Sequence, residues 1–233
     1  MQNKNKVELL GWYGGDEINA CSAWTSTSRN LTPEKRARIP KLLKDLASAG
    51  HETPFEKSIV HFLVDTEIAS HIHLLKHRIS SLNAESARYK ELKEDKYYLP
   101  EDWKGIRCSK EVDLPNNIGD YYDKPFTEAG SNWIIILENY TKLGNKLYHQ
   151  CLKDLEPTLG RKRAKESARF FKTYNSQIQA DIMFNWRSFV NFQKLRNSEH
   201  AQKEIREIAA EMLKLVKEIP EKPFQHTIAA FNL

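Results

Sequence analysis

The stretch KHRISSLNAESARY at residues 76–89 combines basic side chains with serine hydroxyls and an asparagine amide. Because arginine guanidinium groups and hydroxyls match the geometry of phosphate oxygens, this composition favours a site for an anion with several oxygen atoms. The same composition is also typical of a solvated, charged helix end, and the stretch alone leaves both interpretations open. Apolar periodicity before it predicts a helix over residues 66–76, whose C-terminal end favours positive charge.

The composition of the 233-residue chain is that of an ordinary globular protein, with 40% hydrophobic and 29% charged residues. The length suits one large domain or two small ones. No apolar run approaches the length of a membrane span, and the polar start shows no apolar signal core. We therefore expect a cytoplasmic protein without membrane association.

The cysteines and the net charge limit the classes of ligand that the chain is expected to bind. Cys21, Cys108 and Cys151 are far apart and odd in number, which predicts free thiols in a reducing compartment and no metal site. The net charge of +5 fits a phosphorylated small-molecule substrate and is too mild to indicate a nucleic-acid partner.

Hydrophobic periodicity predicts alternating strands and helices in the first part of the chain. These are a strand at 7–13, a helix at 16–23 capped by Asp16, a helix at 33–50 capped by Thr32 with Ile39, Leu42, Leu43 and Leu46 buried, a strand at 58–64, and the helix at 66–76.

The second part of the chain begins with residues 90–131, which read as a long irregular surface excursion. Asn185 is predicted to cap a helix whose packed face is Phe189, Phe192 and Leu195. The other predicted elements are a helix at 132–155, a basic helix at 161–171, a strand at 176–184 and a last helix at 198–216.

Three separated blocks of the sequence resemble the flavin-dependent thymidylate synthases (ThyX). The first is HETPFE at 51–56. In the second block, His77-Arg78 is followed by seven residues and then by Ser86. The corresponding family signature is Arg-His-Arg, then seven residues, then Ser. The third, at 185–202, matches Asn-x-Arg, then Asn-Phe-x-x-Leu-Arg, then His-Ala-Gln. The resemblance covers about residues 26–216.

The resemblance implies an α/β (α+β) fold with a central mixed sheet packed by helices, in a single catalytic domain over residues 1–233. It implies a homotetramer with FAD bound where subunits meet. The implied reaction converts dUMP, 5,10-methylenetetrahydrofolate and NADPH into dTMP, tetrahydrofolate and NADP, with reduced flavin as the hydride source. No enzyme nucleophile is needed, which agrees with the absence of a conspicuous Cys-His pair from the sequence.

The same resemblance implies the site residues. Arg196 is implied as the catalytic cation that stabilises negative charge on the pyrimidine. Backbone N–H groups near Ser86 would hold the phosphate, with Arg88 and Arg169 as clamps. The implied flavin contacts are Ser26, Thr53, Glu56, Lys76, His77, Arg78, Asn83, Asn185, Arg187, Asn191 and His200, and the implied substrate contacts are His73, Lys76, Glu85, Ser86, Ala87, Arg88, Arg169 and Arg196.

Several positions depart from the family pattern, mostly on the nucleotide side. Lys76 replaces an arginine and loses its planar fork. The other departures are His73 for Gln, Ala84 for a common Glu with Glu85 adjacent, and Lys172-Thr173 for Leu-Pro. These departures leave open the alternative that the protein is a nucleotide (dUMP or UMP) hydroxymethylase, in which water and not hydride completes the transfer. A more distant alternative is a non-enzymatic nucleotide- or RNA-binding module.

Overall fold

The computed structural model describes residues 4–92, 94–112 and 127–233, which fall into two compact units. The first, called the sheet unit, contains Asn5–Glu85 and Ile178–Leu233. The second, called the helical unit, contains Ser86–Gln177 together with Lys4. The single catalytic domain expected over residues 1–233 stays a prediction beside this division.

Strands and helices are interspersed along the chain, as the periodicity predicted. Of the helices formed by the described residues, none has the length and apolar character needed to span a bilayer. The strands are β1 (Lys6–Tyr13), β2 (Ile59–Glu67), β3 (Ser81–Ala84) and β4 (Gln177–Asn185). The helices are α1 (Asp16–Trp24), α2 (Pro33–Ser48), α3 (Ile68–Leu75), α4 (Trp133–Ala168), α5 (Trp186–Arg196), α6 (Lys203–Lys217) and α7 (Gln225–Ala230). Short 3-10 helices lie at Thr53–Lys57, Glu101–Trp103 and Arg169–Phe171.

The four strands form one sheet in the order β1-β2-β4-β3. β1 pairs with β2 and β3 pairs with β4, both in the antiparallel sense. Across β2 and β4, His61 contacts Asp181 at 2.6 Å and Gln179 contacts Asp65 at 3.4 Å. The numbering runs in opposite directions along this boundary, so this pair is antiparallel as well. The sheet was expected to be mixed, and that detail is wrong, because side-chain periodicity is the same in either pairing sense.

Aromatic rings at the junction of β4 and α5 form the centre of the core. Phe189 lies 5.8 Å from the ring of Phe62 and 5.5 Å from that of Trp186, and all three side chains are fully buried. Trp186 stacks on Phe224 at 4.5 Å. This packing holds α5 in place where it follows β4. It therefore also fixes the positions of the side chains at both ends of α5.

Helix capping explains where several elements begin, and it corrects three predictions. Asp16 does not cap α1; its carboxylate accepts backbone N–H groups from His226 and Thr227 at 2.8 Å each. α3 begins at Ile68 because Glu67, at the end of β2, accepts the backbone N–H of Ser70. α6 begins at Lys203, five residues after the predicted start at 198, since the preceding residues form a turn.

The helical unit is built on α4, which continues through both predicted helices. Gly160 lies inside it with φ 75° and ψ 153°, a non-helical conformation that separates the basic part from the rest. In the described parts of 90–131, regular structure is limited to the 3-10 helix Glu101–Trp103 and isolated bridges. Tyr97, Leu99 and Cys108 of this segment are nevertheless buried. Residues 93 and 113–126 of the predicted excursion lie outside the described residues.

Candidate active site

The predicted catalytic arginine is held at the C-terminal end of α5 by a histidine. Arg196 Nε donates a hydrogen bond to His77 Nε2 at 3.0 Å. The His77 ring meets the ring of Phe192 edge-on, with centroids 5.0 Å apart. Leu195 was predicted to pack beside Arg196, but its side chain is 53% exposed, so the arginine is positioned by His77 and not by an apolar neighbour.

His77 is neutral at physiological pH. Burial is the largest cause of a shift that lowers its pKa from 6.5 to about 4, and electrostatic interactions with Arg196 and His73 contribute to the same shift. Because Nε2 accepts from Arg196, the tautomer assigned from this hydrogen bond carries its proton on Nδ1. His77 therefore offers one acceptor to Arg196 and one donor, Nδ1–H, for a ligand.

The depressed pKa of His77 predicts an acid-dependent loss of stability. Protonation favours the unfolded chain, so the stabilising contribution is complete above pH 6.5 and is lost as the pH falls toward about 4. We expect a loss on the order of 2 kcal/mol over that window, below the full value of the shift because the ring is partly solvated. Urea unfolding at several pH values measures it. His77→Gln should remove this part of the pH dependence, and an unchanged pH profile would contradict the assignment.

The other residues around the end of α3 are more exposed. His73 contacts Gln202 through Nε2 and Oε1 at 3.2 Å. Lys76 and Arg78 flank His77 with exposed side chains. The Ser80 hydroxyl donates to the His77 carbonyl at 2.6 Å and closes the turn that leads into β3. Two exposed cations therefore flank the histidine of the Arg196–His77 pair.

A second group of predicted flavin contacts lies at the N-terminal end of α5. Asn185 caps the helix, because its Oδ1 accepts the backbone N–H of Ser188 at 2.8 Å. Arg187 bridges two carboxylates, with Nε 3.0 Å from Glu52 and NH1 2.7 Å from Glu56. These hydrogen bonds raise the pKa of Arg187 above its usual value. Thr53 is exposed beside them at the start of a 3-10 helix.

The remaining predicted residues of the sheet unit lie apart from these two groups. Asn83 is exposed on β3, and its Oδ1 accepts the backbone N–H of Ala84 at 3.1 Å. Glu85 extends the β3–β4 ladder, since its carboxylate accepts the backbone N–H of Gln179. Among the contacts of the described residues, none joins Ser26, Asn191 or His200 to either end of α5. All three are exposed, and the hydroxyl of Ser26 donates to the carbonyl of Ala23.

In the helical unit, the predicted phosphate contacts form a tight turn against the basic end of α4. The Ser86 carbonyl accepts backbone N–H groups from Tyr89 and Lys90, and its hydroxyl accepts that of Arg88 at 3.3 Å. Arg88 Nε contacts Glu166 at 2.5 Å, and this contact raises the pKa of the guanidinium. Ala87 lies inside the turn, and Arg169 is exposed at the end of α4.

These groups are suited to hold an anion and to stabilise charge. A fixed guanidinium lies beside a neutral imidazole, and the exposed cations Lys76 and Arg78 flank the imidazole in the chain. Within residues 4–92, 94–112 and 127–233, no cluster of three or more His, Cys, Asp or Glu side chains could hold a metal ion. The arrangement favours electrostatic stabilisation over nucleophilic attack by the protein.

Comparison with known proteins identifies the family. The family model described as Thymidylate synthase complementing protein matches residues 8–221. The chain is 32% identical over 213 residues to the flavin-dependent thymidylate synthase of Pseudothermotoga lettingae, covering 91% of this chain and 85% of the relative. The chain belongs to the flavin-dependent thymidylate synthase family. A second family member, from Thermosipho melanesiensis, is 32% identical over 217 residues, covering 93% of this chain and 87% of the relative.

A solved structure supports the same fold. The UMP/dUMP methylase PolB from Streptomyces cacaoi, bound with 5-Br dUMP, superimposes with a TM-score of 0.74 over 99% of this chain and 96% of that one. Its identity to this chain is 23%, so the likeness concerns the fold. The predicted fold of the flavin-dependent thymidylate synthases is thereby confirmed.

Two features of this family member's site were missed from the sequence. Glu52 shares Arg187 with Glu56, and it lies within the HETPFE block, so its position was a signal that could have been used. Glu166 pairs with Arg88 from a distance of 78 residues, and nothing in the sequence indicates this pairing. Both carboxylates lie against arginines that are predicted to bind anions. Each carboxylate therefore reduces the positive charge that its arginine offers a ligand.

Proposed function

We propose that the protein is a flavin-dependent thymidylate synthase that methylates dUMP to dTMP. In this proposal 5,10-methylenetetrahydrofolate donates the one-carbon unit, and FAD reduced by NADPH supplies the hydride. The observation that carries it is the Arg196–His77 pair, 3.0 Å apart, in a chain whose family is established. A fixed cation of this kind stabilises negative charge on a pyrimidine ring, whereas a neutral imidazole beside it adds no competing charge.

The side chains at the two ends of α5 fit a flavin dinucleotide in different ways. At the start of α5, one guanidinium faces two carboxylates, which leaves a local charge of −1. This end suits ribose hydroxyls or an exocyclic amine better than a phosphate, although a helix start without carboxylates favours an anion. At the far end of α5, Lys76 and Arg78 are exposed cations beside His77, and they suit the pyrophosphate.

Each unit, taken by itself, contains some of the proposed nucleotide contacts. His73, Lys76, Glu85 and Arg196 belong to the sheet unit, whereas Ser86, Ala87, Arg88 and Arg169 belong to the helical unit. The Ser86 hydroxyl has a hydrogen-bond role in this proposal, and no histidine is found within contact of it among the described residues. An unactivated serine is a poor nucleophile at neutral pH.

The proposal includes a homotetramer whose flavin sites lie at subunit boundaries. α5 is about 16 Å long at 1.5 Å per residue, so its two groups of ligands are well separated. Ile72, Leu75 and Ile79 leave apolar side chains exposed around His77, and Ile79 is 75% exposed. A second subunit packed there would bury them. A cytoplasmic location is also proposed, and the free thiols of Cys21, Cys108 and Cys151 support it.

The absorption spectrum of the purified protein tests the flavin part of the proposal. We expect the visible absorbance of oxidised flavin, its loss when NADPH is added without oxygen, and release of FAD on denaturation. Light scattering after size exclusion should give a tetramer of the 27.1 kDa chain. A colourless protein that takes up no added FAD would overturn the proposal, and a flavin-loaded monomer would overturn its shared-site part.

Separate ligands are predicted for two arginines of the stretch at residues 76–89. Arg78→Ala should weaken FAD binding, whereas Arg88→Ala should mainly weaken dUMP binding. Each change removes a charge-assisted contact, so the expected loss is roughly 1.5–3 kcal/mol, or about ten- to a hundredfold in affinity. Titration of each variant with each ligand measures both effects. Equal losses of both ligands in both variants would contradict the assignment.

A further inference from the structure

A buried lysine in the helical unit has no role in the proposed reaction. Only 4% of the Lys172 side chain is exposed. Its Nζ donates to Asp95 Oδ1 at 2.6 Å and to Asn145 Oδ1 at 2.8 Å, and lies 4.4 Å from the ring centre of Tyr148. Burial lowers the pKa of Lys172 while Asp95 opposes that shift. Lys172-Thr173 is also one of the positions where the sequence departs from its family's pattern.

The backbone around Lys172 brings it close to α4. The 3-10 helix Arg169–Phe171 packs against α4 at Gly144, where an added Cβ would lie 2.5 Å from the Phe171 carbonyl oxygen. Only glycine permits this approach without displacing the backbone. Lys172 follows directly, and its side chain therefore points to Asn145 and Tyr148 on the same helix.

The other partners of Lys172, Asp95 and the carbonyl of Leu92, belong to the segment that follows the proposed phosphate turn. Asp95 also contacts His149 Nε2 at 3.0 Å, and the backbone N–H of Leu92 donates to the Tyr148 hydroxyl at 3.1 Å. Nearer the turn, Glu91 pairs with Arg161 at 2.9 Å and the carbonyl of Tyr89 accepts from Lys165 at 2.7 Å. Residues 88–92 and Asp95 are thus held on α4 by several contacts.

Among the contacts that hold this segment on α4, those of Lys172 differ from the others because the lysine side chain is buried. The side chains of Arg88 and Arg161 are 46% and 53% exposed, and solvent-exposed ion pairs contribute little. Loss of the Lys172 ammonium would leave Asn145 Oδ1 facing an apolar replacement, and Asp95 would keep its contact with His149 but lose its ion pair. The anchor at Lys172 is therefore the one whose removal should loosen the hold on Leu92 and Asp95.

We propose that Lys172 is a positioning residue that holds Asp95 and residues 88–92 on α4 and so keeps the turn at Ser86–Arg88 preformed for the nucleotide phosphate. This inference rests on the proposed function. Without the anchor, the turn would have to be ordered when the phosphate binds, and that ordering lowers affinity. The pyrimidine and the flavin do not depend on this turn in the proposal, so their binding should not change.

Comparison of dUMP with 2′-deoxyuridine separates this role from a merely structural one, because the nucleoside lacks the phosphate. We expect Lys172→Met to weaken dUMP binding roughly tenfold and to leave the inhibition constant of 2′-deoxyuridine within about twofold. Lys146→Met, the same change at an exposed position of α4, is the matched control and should alter neither constant. Flavin content should stay at the wild-type level in both variants.

Asp95→Asn provides the second variant, since Asp95 is 32% exposed and tolerates the change better than a buried site. It should reproduce the selective loss of dUMP affinity, and Lys172→Met/Asp95→Asn should lose no more than either single variant. Unchanged dUMP binding, or equal losses of dUMP and 2′-deoxyuridine, would overturn the inference. A flavin-loaded wild-type protein that binds no dUMP would instead overturn the proposed function, and the inference with it.

Discussion

Arg196→Ala is expected to lower dTMP formation roughly 10²–10³-fold, the usual effect of removing a group that stabilises transition-state charge. The reason is geometric: His77 holds Arg196 Nε, which leaves the two terminal nitrogens of the guanidinium for a ligand. FAD should remain bound and should still be reduced by NADPH. Single-turnover measurements of flavin reduction and of product formation separate the two steps.

Two further variants give the Arg196 prediction its controls. Arg196→Lys keeps the charge but loses the Nε donor to His77, so it should recover only part of the rate. Ser86→Ala should keep measurable turnover, because the hydroxyl acts as a hydrogen-bonding group. An inactive Ser86→Ala that still binds dUMP, together with normal turnover by Arg196→Ala, would show that the roles are reversed.

Phe189→Ala is expected to give the largest loss of stability, about 3–5 kcal/mol, which is typical for removal of a buried phenylalanine ring. Phe189 is fully buried and lies within 6.0 Å of the rings of Phe62, Phe184 and Trp186. Truncation leaves a cavity where β4 and α5 meet. Urea unfolding of the FAD-free protein measures the loss without a contribution from cofactor binding.

Leu195→Ala is the matched comparison on the same helix. The side chain of Leu195 is 53% exposed, so its truncation should change the free energy of unfolding by no more than about 0.5 kcal/mol. The apolar periodicity of α5 predicted equal burial for both positions. Similar losses for Phe189→Ala and Leu195→Ala would support that original expectation and contradict the packing described here.

Local signals predicted much of the sheet unit correctly. The N-caps Thr32 and Asn185 are confirmed by hydrogen bonds to Lys35 and Ser188, because capping depends on residues only three positions apart. β2 and β4 were also recovered, since alternating burial on both strands is a strong period-two signal. β3 was not predicted, because four residues within a charged stretch carry too little pattern to indicate a strand.

The missed features depend on contacts that are distant in sequence. The Asp16 carboxylate is used 210 residues away at the start of α7, a helix too short to be predicted from periodicity. The pairing of Arg88 with Glu166, and of Lys172 with Asp95, follows from where α4 passes and not from spacing. Residue types therefore predicted which side chains are suited to anions, whereas the partners of those side chains within the protein required the fold.

Product analysis tests the central claim most directly. The purified, flavin-loaded protein is incubated with dUMP and 5,10-methylenetetrahydrofolate, with and without NADPH, and the nucleotide and folate products are identified by mass spectrometry. We predict dTMP and tetrahydrofolate, formed only when NADPH is present. Formation of 5-hydroxymethyl-dUMP independently of NADPH, or no nucleotide product from a protein that binds both flavin and dUMP, would contradict the claim.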